Sequence, residues 1–431
     1  MNRGADCVQH LVPAPLAPEQ GTGPDTAHRS FRLRLPDRRT APVSTAIRQL
    51  YNKVEIIMIK PVHYHYRQFP PTNIDWSKLI PLIGPASAAL ARYDGTLSVI
   101  PNAAVLLSPL TTQEAVLSSR IEGTQATMGE VLEYEAEGDS DSISNEKKED
   151  INEILNYRRA MWHAIELLEK LPLCQRVVRE AHRVLLESVR GHGKSPGEYR
   201  RIPNWIGPPG CSIEEAKFVP ISADRLPEAM DNWEKYIHQD VADQLVKLAI
   251  LHAEFEALHP FLDGNGRLGR MCVPLFMFKT GLIQSPMFYI SAFFEKHRDE
   301  YYERLLSISR DNDWSGWCEF FLRAIMVQAQ QNQKKASEIL TLYEMKKSQV
   351  IDLTHSQYAI PALDYIFIHP VFKASDFTNS KEIPAPTAKR ILSIFRENEI
   401  LKTLREASGR RPAVYIFREL VNASEGKDII I

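Results

Sequence analysis

Twelve consecutive residues, HPFLDGNGRLGR at 259–270, hold one histidine, one carboxylate, three glycines, an amide and two arginines. The stretch before them, LVKLAILHAEFEALHP (245–260), carries a helical pattern that Pro260 ends. RLGRMCVPLFMFKTG (267–281) carries another, with Pro274 tolerated as a kink and Gly281 as its stop. The motif is therefore a loop that opens into a helix N-terminus. There Gly264, Asn265 and Gly266 can turn backbone N–H groups inward, and the helix dipole adds partial positive charge at the same point. That shape suits phosphate. Arg267 and Arg270, three apart, project from the first helical turn, and two guanidinium forks fit a polyphosphate better than a monophosphate. Asp263 is the hard oxygen donor that Mg²⁺ takes when phosphates and waters complete its shell. His259 is the one nearby group able to take a proton near neutral pH. Together these residues describe a nucleoside-triphosphate site with a histidine base. The stretch lacks the GK[ST] of a Walker loop, and it lacks the strand that precedes a dinucleotide fingerprint.

The surrounding chain reads as mainly helical. From Ile74 to about Leu171 the pattern has helical period: TTQEAVLSSRIEG (111–123) sets Ala115, Val116, Ser119 and Ile121 among polar residues and stops at Gly123. GDSDSISNEKKED (138–150) reads as a polar connection before a helix from Asn152 to Leu171. Helices continue from 172 to 335, broken by GEYRRIPNWIGPPG (197–210), where Tyr199, Ile202, Trp205 and Ile206 favour a short β-hairpin. From 355 to 417 the order is helix, turn, helix and two extended runs, that of a winged helix, with nine basic residues against five acidic ones between Lys373 and Arg411. Residues 1–57 hold six prolines and five arginines between Arg29 and Arg39 without a sustained period, so they are expected to be disordered. Met58 reads like a natural start, which would make the upstream part an adventitious extension.

Composition bounds the answer. The 431 residues are 44 % apolar and 25 % charged, with a net charge of −2, which gives no global electrostatic case for nucleic acid or a membrane. Five scattered cysteines without a CxxC pair point to a reducing compartment and away from a zinc site. No run of 18 apolar residues appears, and the N-terminus has no apolar core of signal-peptide type, so the expected location is the cytoplasm.

HPFLDGNGRLGR resembles the signature of the Fic family, His-Pro-Phe-x-(Asp/Glu)-Gly-Asn-Gly-Arg-x-x-Arg, at every fixed position. SSRIEG (118–123) is similar to the family's inhibitory motif, Ser/Thr-x-x-x-Glu-Gly/Asn, and GEYRRIPNWIG to its target-binding flap. The resemblance runs from about Ile74 to Ala336. It implies a Fic-type helical bundle with a β-hairpin flap, divided as an N-terminal helical region (58–171), a catalytic core (172–335) and a linker helix with a winged-helix domain (336–431). It also implies transfer of AMP from ATP, with Mg²⁺, to a protein hydroxyl. His259 would be the base, Asp263 the metal ligand, and Gly264, Asn265, Gly266, Arg267 and Arg270 the phosphate contacts. Glu122, supported by Ser118, would hold Arg270 and spoil the ATP pose.

Several assignments stay open at this stage. Tyr199, Ile202, Trp205 and Ile206 could pair with a target by strand addition, or form a structural hairpin with Trp205 in the core. Tyr301 and Tyr302 could line an adenine pocket or sit in the core. The same site could remove AMP instead of adding it. A DNA-binding regulator is the third reading, with Thr387 to Asn398 as recognition helix offering Lys389, Arg390 and Arg396, and with Arg410 and Arg411 at the wing tip. The target is unassigned; self-modification and a homodimer are common family behaviours.

Overall fold

The computed structural model describes residues 60–100, 102–103, 107–138, 143–187, 192–409 and 411–426. The expected disorder of residues 1–57, and Arg410 at the wing tip, lie outside the described residues. In chain order come β1 (Val62–His63), α1 (Trp76–Ser98), α2 (Ser108–Ile121), α3 (Met128–Glu137), α4 (Asn145–Leu168) and α5 (Gln175–Leu185). After a long irregular stretch follow β2 (Phe218–Val219), α6 (Leu226–His238), α7 (Gln244–Leu258), α8 (Asn265–Lys279), α9 (Ser291–Lys296) and α10 (Arg298–Asp311). The remainder is α11 (Trp314–Thr354), α12 (Ala359–Ile368), β3 (Val371–Lys373), α13 (Ala374–Thr378), α14 (Ala385–Glu397), β4 (Lys402–Arg405), β5 (Val414–Ile416) and α15 (Arg418–Glu425). Among the described residues no helix is long and apolar enough to cross a membrane.

Local sequence explains where the site-bearing helices begin. Thr127 and Glu130 close a reciprocal capping box on α3. Ser144 caps α4 by accepting from the Lys147 amide, so the helix starts seven residues before the expected Asn152 and takes in part of the polar connection. Asp243 does the same for α7. Every residue of α7 except Gln244, Glu256 and Ala257 is buried, as a helix walled in on all sides must be. Around it lie α6, α8, α10 and α11; Trp233 of α6 donates its indole N–H to Leu251 O at 2.9 Å, and Trp317 of α11 donates to Ala249 O at 2.7 Å. The N-terminal segment adds a polar strap. Tyr64 and His65 both reach the buried Glu254 of α7, at 2.6 and 2.9 Å.

The 41-residue α11 crosses the expected boundary at 335/336 without interruption and packs along α1. At its far end β3, β5 and β4 form an antiparallel sheet in that order; β3 was not anticipated. These C-terminal elements grip the two helices on either side of Glu122. Lys335 bridges Gln113 of α2 and the Ser424 carbonyl of α15 at 2.6 and 2.7 Å, while Arg405 pairs with the Glu137 carboxylate of α3 and Lys373 reaches its carbonyl. Two basic side chains of the expected recognition helix are engaged internally. Arg390 donates to Thr354 O at 3.0 Å, and the Arg396 guanidinium lies 5.3 Å from the Tyr415 ring centroid.

Trp317 is fully buried between α7 and α11, so Trp317→Ala should cost about 3–5 kcal/mol. Urea unfolding followed by helical circular dichroism reads this; a loss below about 1 kcal/mol would mean that α7 is not the packing centre.

Candidate active site

The loop between α7 and α8 is shaped by two residues in the left-handed region. His259 caps α7 with φ 47°, and Gly264 caps α8 with φ 77°. Gly264 is pressed against Leu185 and Leu186, where a Cβ would stand 3.2 Å from Leu185 Cδ2. Asn265 staples the loop from within: its Oδ1 accepts the Phe261 N–H at 2.8 Å and its Nδ2 donates to Phe261 O at 2.9 Å. Its side chain therefore serves loop closure. The backbone amides of Asn265, Gly266 and Arg267 have no partner inside α8, because the first intrahelical bond runs from Leu268 N to Gly264 O. A Cβ on Gly266 would collide with Glu122 Oε1, so glycine is required for a carboxylate to lie this close to the helix end.

Both motif arginines are buried, and each meets a different carboxylate. Arg270 is 1 % exposed; its Nε donates to Ser118 Oγ at 3.0 Å, and its Nη2 to Ser118 O at 2.9 Å and Glu122 Oε1 at 2.6 Å. Burial lowers its pKa, but Glu122, with Tyr301 and Glu256 beside it, raises it further, so Arg270 is a permanent cation. Glu122 stands at the C-cap of α2, where Ser118 and Glu122 are one turn apart and share a face. Arg267 pairs with Glu153 of α4 at 3.2 Å and with Asp263 at 3.5 Å. Asp263 also accepts the Gly264 N–H at 2.6 Å, and its half-open side chain keeps access to solvent.

His259 is neutral at neutral pH. Burial and the Arg200 guanidinium push its imidazole down to about 4, against the opposing pull of the Glu256 carbonyl, Glu122 and Asp263. Nδ1 faces that carbonyl at 3.3 Å, which assigns the proton to Nδ1 and leaves Nε2 as the acceptor. The site thus gathers His259, Asp263, Gly264, Asn265, Gly266, Arg267, Arg270, Ser118 and Glu122.

The flap and the tyrosines differ from expectation. No regular hairpin forms at 197–210; a single antiparallel bridge joins Ile206 to Phe218 around the intervening loop. The Ile206 N–H donates to Phe218 O, and the Ile206 carbonyl accepts from Lys217 and Phe218, so these groups are not open to an added strand. β2 is covered on its other side by β1, in parallel. Trp205 is buried with its indole N–H on Cys211 O, and Tyr199 packs on Phe261 with its hydroxyl on Gln175 Oε1; Ile202 is half-buried. Tyr301 is not a pocket wall: it is 1 % exposed, stacked on Phe294, with its hydroxyl 2.9 Å from His252 Nε2. Tyr302 is half-buried beneath the Arg298 guanidinium.

Several positioning residues carried no signal in the motif. Arg200 and Asn204 both donate to the His259 carbonyl, at 2.9 and 3.4 Å, and the Arg200 amide donates to Pro260 O. The polar cluster in GEYRRIPNW was their only trace. His182 of α5 is fully buried and stacked on Phe261, 3.7 Å between centroids. Its Nδ1 accepts the Gly197 N–H at 2.8 Å, which leaves Nε2–H to donate to Asp263 O at 3.0 Å. Glu114, one turn before Ser118 on α2, accepts both the hydroxyl and the amide of Ser291, and burial raises its carboxyl to about 7.

A helix N-terminus carrying buried arginines beside a neutral histidine can hold an anion and offer a base at its edge, and two stretches of the chain match models of a known family. Residues 80–166 match the model described as Fic/DOC family N-terminal, and residues 172–277 match the Fic/DOC family model. The chain is 26 % identical over 203 residues to the protein adenylyltransferase Fic of Drosophila grimshawi, covering 45 % of this chain and 37 % of that protein. The Drosophila virilis protein of the same name is likewise 26 % identical, with 36 % of its length covered. The chain thus spans little more than a third of the length of the curated relatives it matches. Its fold is similar to that of a Fic family protein from Desulfovibrio desulfuricans G20, with a TM-score of 0.50 at 21 % identity, covering 81 % of this chain and 98 % of that one. A Fic domain containing signaling protein from Bacteroides thetaiotaomicron VPI-5482 gives 0.50 at 17 %, covering 60 % and 97 %. Residues 80–166 and 172–277 thus carry the two parts of a Fic/DOC family region.

Burial pushes the His182 imidazole down to about 4, below its ordinary value of about 6.5. The unfolded chain therefore takes up a proton first as pH falls, and the stability that neutral His182 contributes is full above about 6.5 and lost as pH falls toward 4. His182→Gln can reproduce both hydrogen bonds without titrating. Relative to that variant the wild type should lose stability between pH 6.5 and 4, read by denaturant unfolding; parallel profiles would contradict the assignment.

Proposed function

We propose that this protein is an autoinhibited adenylyltransferase that moves AMP from ATP to a Ser, Thr or Tyr hydroxyl of a protein, its own chain included. The observation that carries the reading is the Glu122–Arg270 ion pair at the N-terminus of α8, close enough to His259 for Glu122 to act on its imidazole. The names of the Drosophila relatives support the same chemistry.

In this reading the triphosphate lies along the N-terminus of α8, with the free amides of Asn265 and Gly266 and the guanidinium of Arg267 on its oxygens, while the Gly264 amide is held by Asp263. Arg270 takes the terminal phosphate. His259 Nε2 accepts the proton of the target hydroxyl as that oxygen attacks the α-phosphorus; the bond from the α-phosphorus to the bridging oxygen breaks, and pyrophosphate leaves. Proton removal of this kind contributes about 10²- to 10⁴-fold in rate. Asp263 fits a Mg²⁺ ion, since a single half-exposed carboxylate suits a metal that completes its shell with phosphates and waters. The metal would supply charge neutralisation between phosphates.

Glu122 supplies the restraint. With its carboxylate on Arg270 the terminal phosphate is excluded from that guanidinium, and a displaced triphosphate loses in-line geometry, where about 1 Å can cost about a hundredfold. Removing Glu122 leaves a buried cation short of its counter-charge, worth about 3–5 kcal/mol, which an incoming phosphate would offset. The winged-helix reading of the C-terminal region is supported by its order of helix, strand, two helices and hairpin. Its use as a DNA reader is weakened by the intramolecular contacts of Arg390 and Arg396, which are exposed, as are Lys389 and Arg411, but are already engaged. Residence in the cytoplasm, expected from the cysteine usage, and a homodimeric state, expected from the family resemblance, complete the proposal.

The test incubates the full chain, Glu122→Gly and His259→Ala with Mg²⁺ and α- or γ-labelled ATP. Label from the α position alone, increased at least about tenfold by Glu122→Gly and absent from His259→Ala, is the expected result. Transfer of the γ label would make the enzyme a kinase. Absence of both labels, with AMP released from a modified protein, would make it a de-AMPylating enzyme. Because the His259 imidazole titrates near 4, the acid limb of kcat/KM in Glu122→Gly should fall near pH 4 and not at about 6.5. A limb at 6.5 would remove His259 from the role of buried base.

A further inference from the structure

Arg270 is held by Glu122, but Arg267, the other arginine of the site, is held by a second carboxylate from a different helix. Glu153 of α4 lies 3.2 Å from Arg267 Nη1; the two side chains are 15 % and 5 % exposed, so the pair is mostly out of water. The same Glu153 oxygen accepts the Thr124 hydroxyl at 3.4 Å, two residues beyond Glu122. One turn earlier on the same face of α4, Asp150 accepts the backbone N–H of Gln125 at 3.0 Å. Helix α4 therefore grips the segment that follows the inhibitory residue and occupies the neighbouring arginine with one and the same carboxylate oxygen. Arg267 Nε is buried without a hydrogen-bond partner, so the guanidinium retains unused donor capacity.

We propose that Glu153 is a second restraining carboxylate, which occupies Arg267 in the resting protein and yields it to the phosphates of an incoming nucleoside triphosphate. This rests on the reading of the site as a triphosphate site and deepens its regulation. Glu153 acts through Arg267 and Thr124 as a positioning residue. A phosphate that draws Arg267 away leaves the Thr124 hydroxyl on the shared oxygen, so phosphate binding at Arg267 is felt by the segment carrying Glu122. Conversely, a Glu122 segment that lifts away takes Thr124 with it and changes how firmly Glu153 holds Arg267. The inhibited state then has two locks on two arginines, linked through the three residues from Glu122 to Thr124.

The experiment uses the full chain and the variants Glu153→Gln, Glu122→Gly and the two combined. Calorimetric titration with a non-hydrolysable ATP analogue and Mg²⁺ is followed by KM and kcat for α-label incorporation. Glu153→Gln should lower the analogue Kd roughly tenfold, equivalent to about 1.4 kcal/mol, in both backgrounds, and in the Glu122→Gly background should lower KM while leaving kcat within about twofold. A merely structural ion pair would instead lower stability without separating KM from kcat. Weaker binding or a lower kcat in Glu153→Gln would mean that Glu153 orients Arg267 for phosphate and overturns the proposal, as would unchanged binding or no nucleotide binding by any variant. If Glu153→Gln does not fold, Glu153→Asp, which withdraws the carboxylate by one methylene, should tighten analogue binding in the same direction. Tighter binding without label transfer by any variant would leave this inference standing and overturn the adenylyltransferase reading; transfer by Glu122→Gly with no effect at Glu153 would do the reverse.

Discussion

The guanidinium of Arg270 is a full charge almost entirely removed from water, and the chain around it is arranged to satisfy it. Ser118 supplies two acceptors, a hydroxyl and a carbonyl, and Glu122 supplies the counter-charge. An unpaired cation at this depth would cost several kcal/mol. The last turn of α2 must therefore lie against the first turn of α8, and everything that sets the position of α2 also sets the position of the carboxylate. Among these are Glu114 on Ser291 and the Lys335 bridge from Gln113 to the C-terminal α15. The neighbouring α3 is held from the same side by Arg405 and Lys373. Residues far apart in the chain thus share one mechanical task, which is to keep Glu122 on Arg270.

A second layer of polar contacts holds the loop itself. The left-handed His259 exposes its carbonyl toward Arg200 and Asn204, and the carbonyl of Asp263 is taken by His182. These carbonyls would otherwise be buried without donors. The consequence for chemistry is that the imidazole sits between a fixed backbone and a burial strong enough to keep it neutral. The two features are coupled, because Arg200, which orders the backbone of His259, also helps lower its pKa. Stability and reactivity at this loop depend on the same side chains.

The local reading and the folded molecule agree where a short stretch contains its own explanation. Loop and helix at 259–281, the stop after Ile121 and the helix that becomes α14 follow from glycine, proline and periodicity within a dozen residues. The start of α4 was displaced because Ser144 caps a helix whose first turn is charged and uninformative in hydrophobic pattern. The hairpin at 197–210 did not form because its polar groups are used elsewhere: Arg200 and Asn204 turn toward the motif loop, and Trp205 turns into a small cluster with Cys211 and Ala216. Tyr301 was drawn into the core by Phe294 and by His252, the latter 49 positions away in sequence.

What the sequence by itself determined is the chemistry on offer: a phosphate-shaped turn, two arginines, a carboxylate and a histidine at fixed offsets, together with a mainly helical class. Such content is local, since backbone conformation and helix periodicity act over a few residues. Only the tertiary structure decided that Arg267 meets a carboxylate of its own, Glu153, 114 positions away, whereas the Glu122–Arg270 pair, 148 positions apart, was already implied by the family resemblance. The tertiary structure also decided that His259 is neutral, and that the residues steadying it come from α5 and the 197–206 segment. Ion pairing, burial and the resulting shifts in proton affinity depend on distances through space, and distances across the core exist only once the helices have packed.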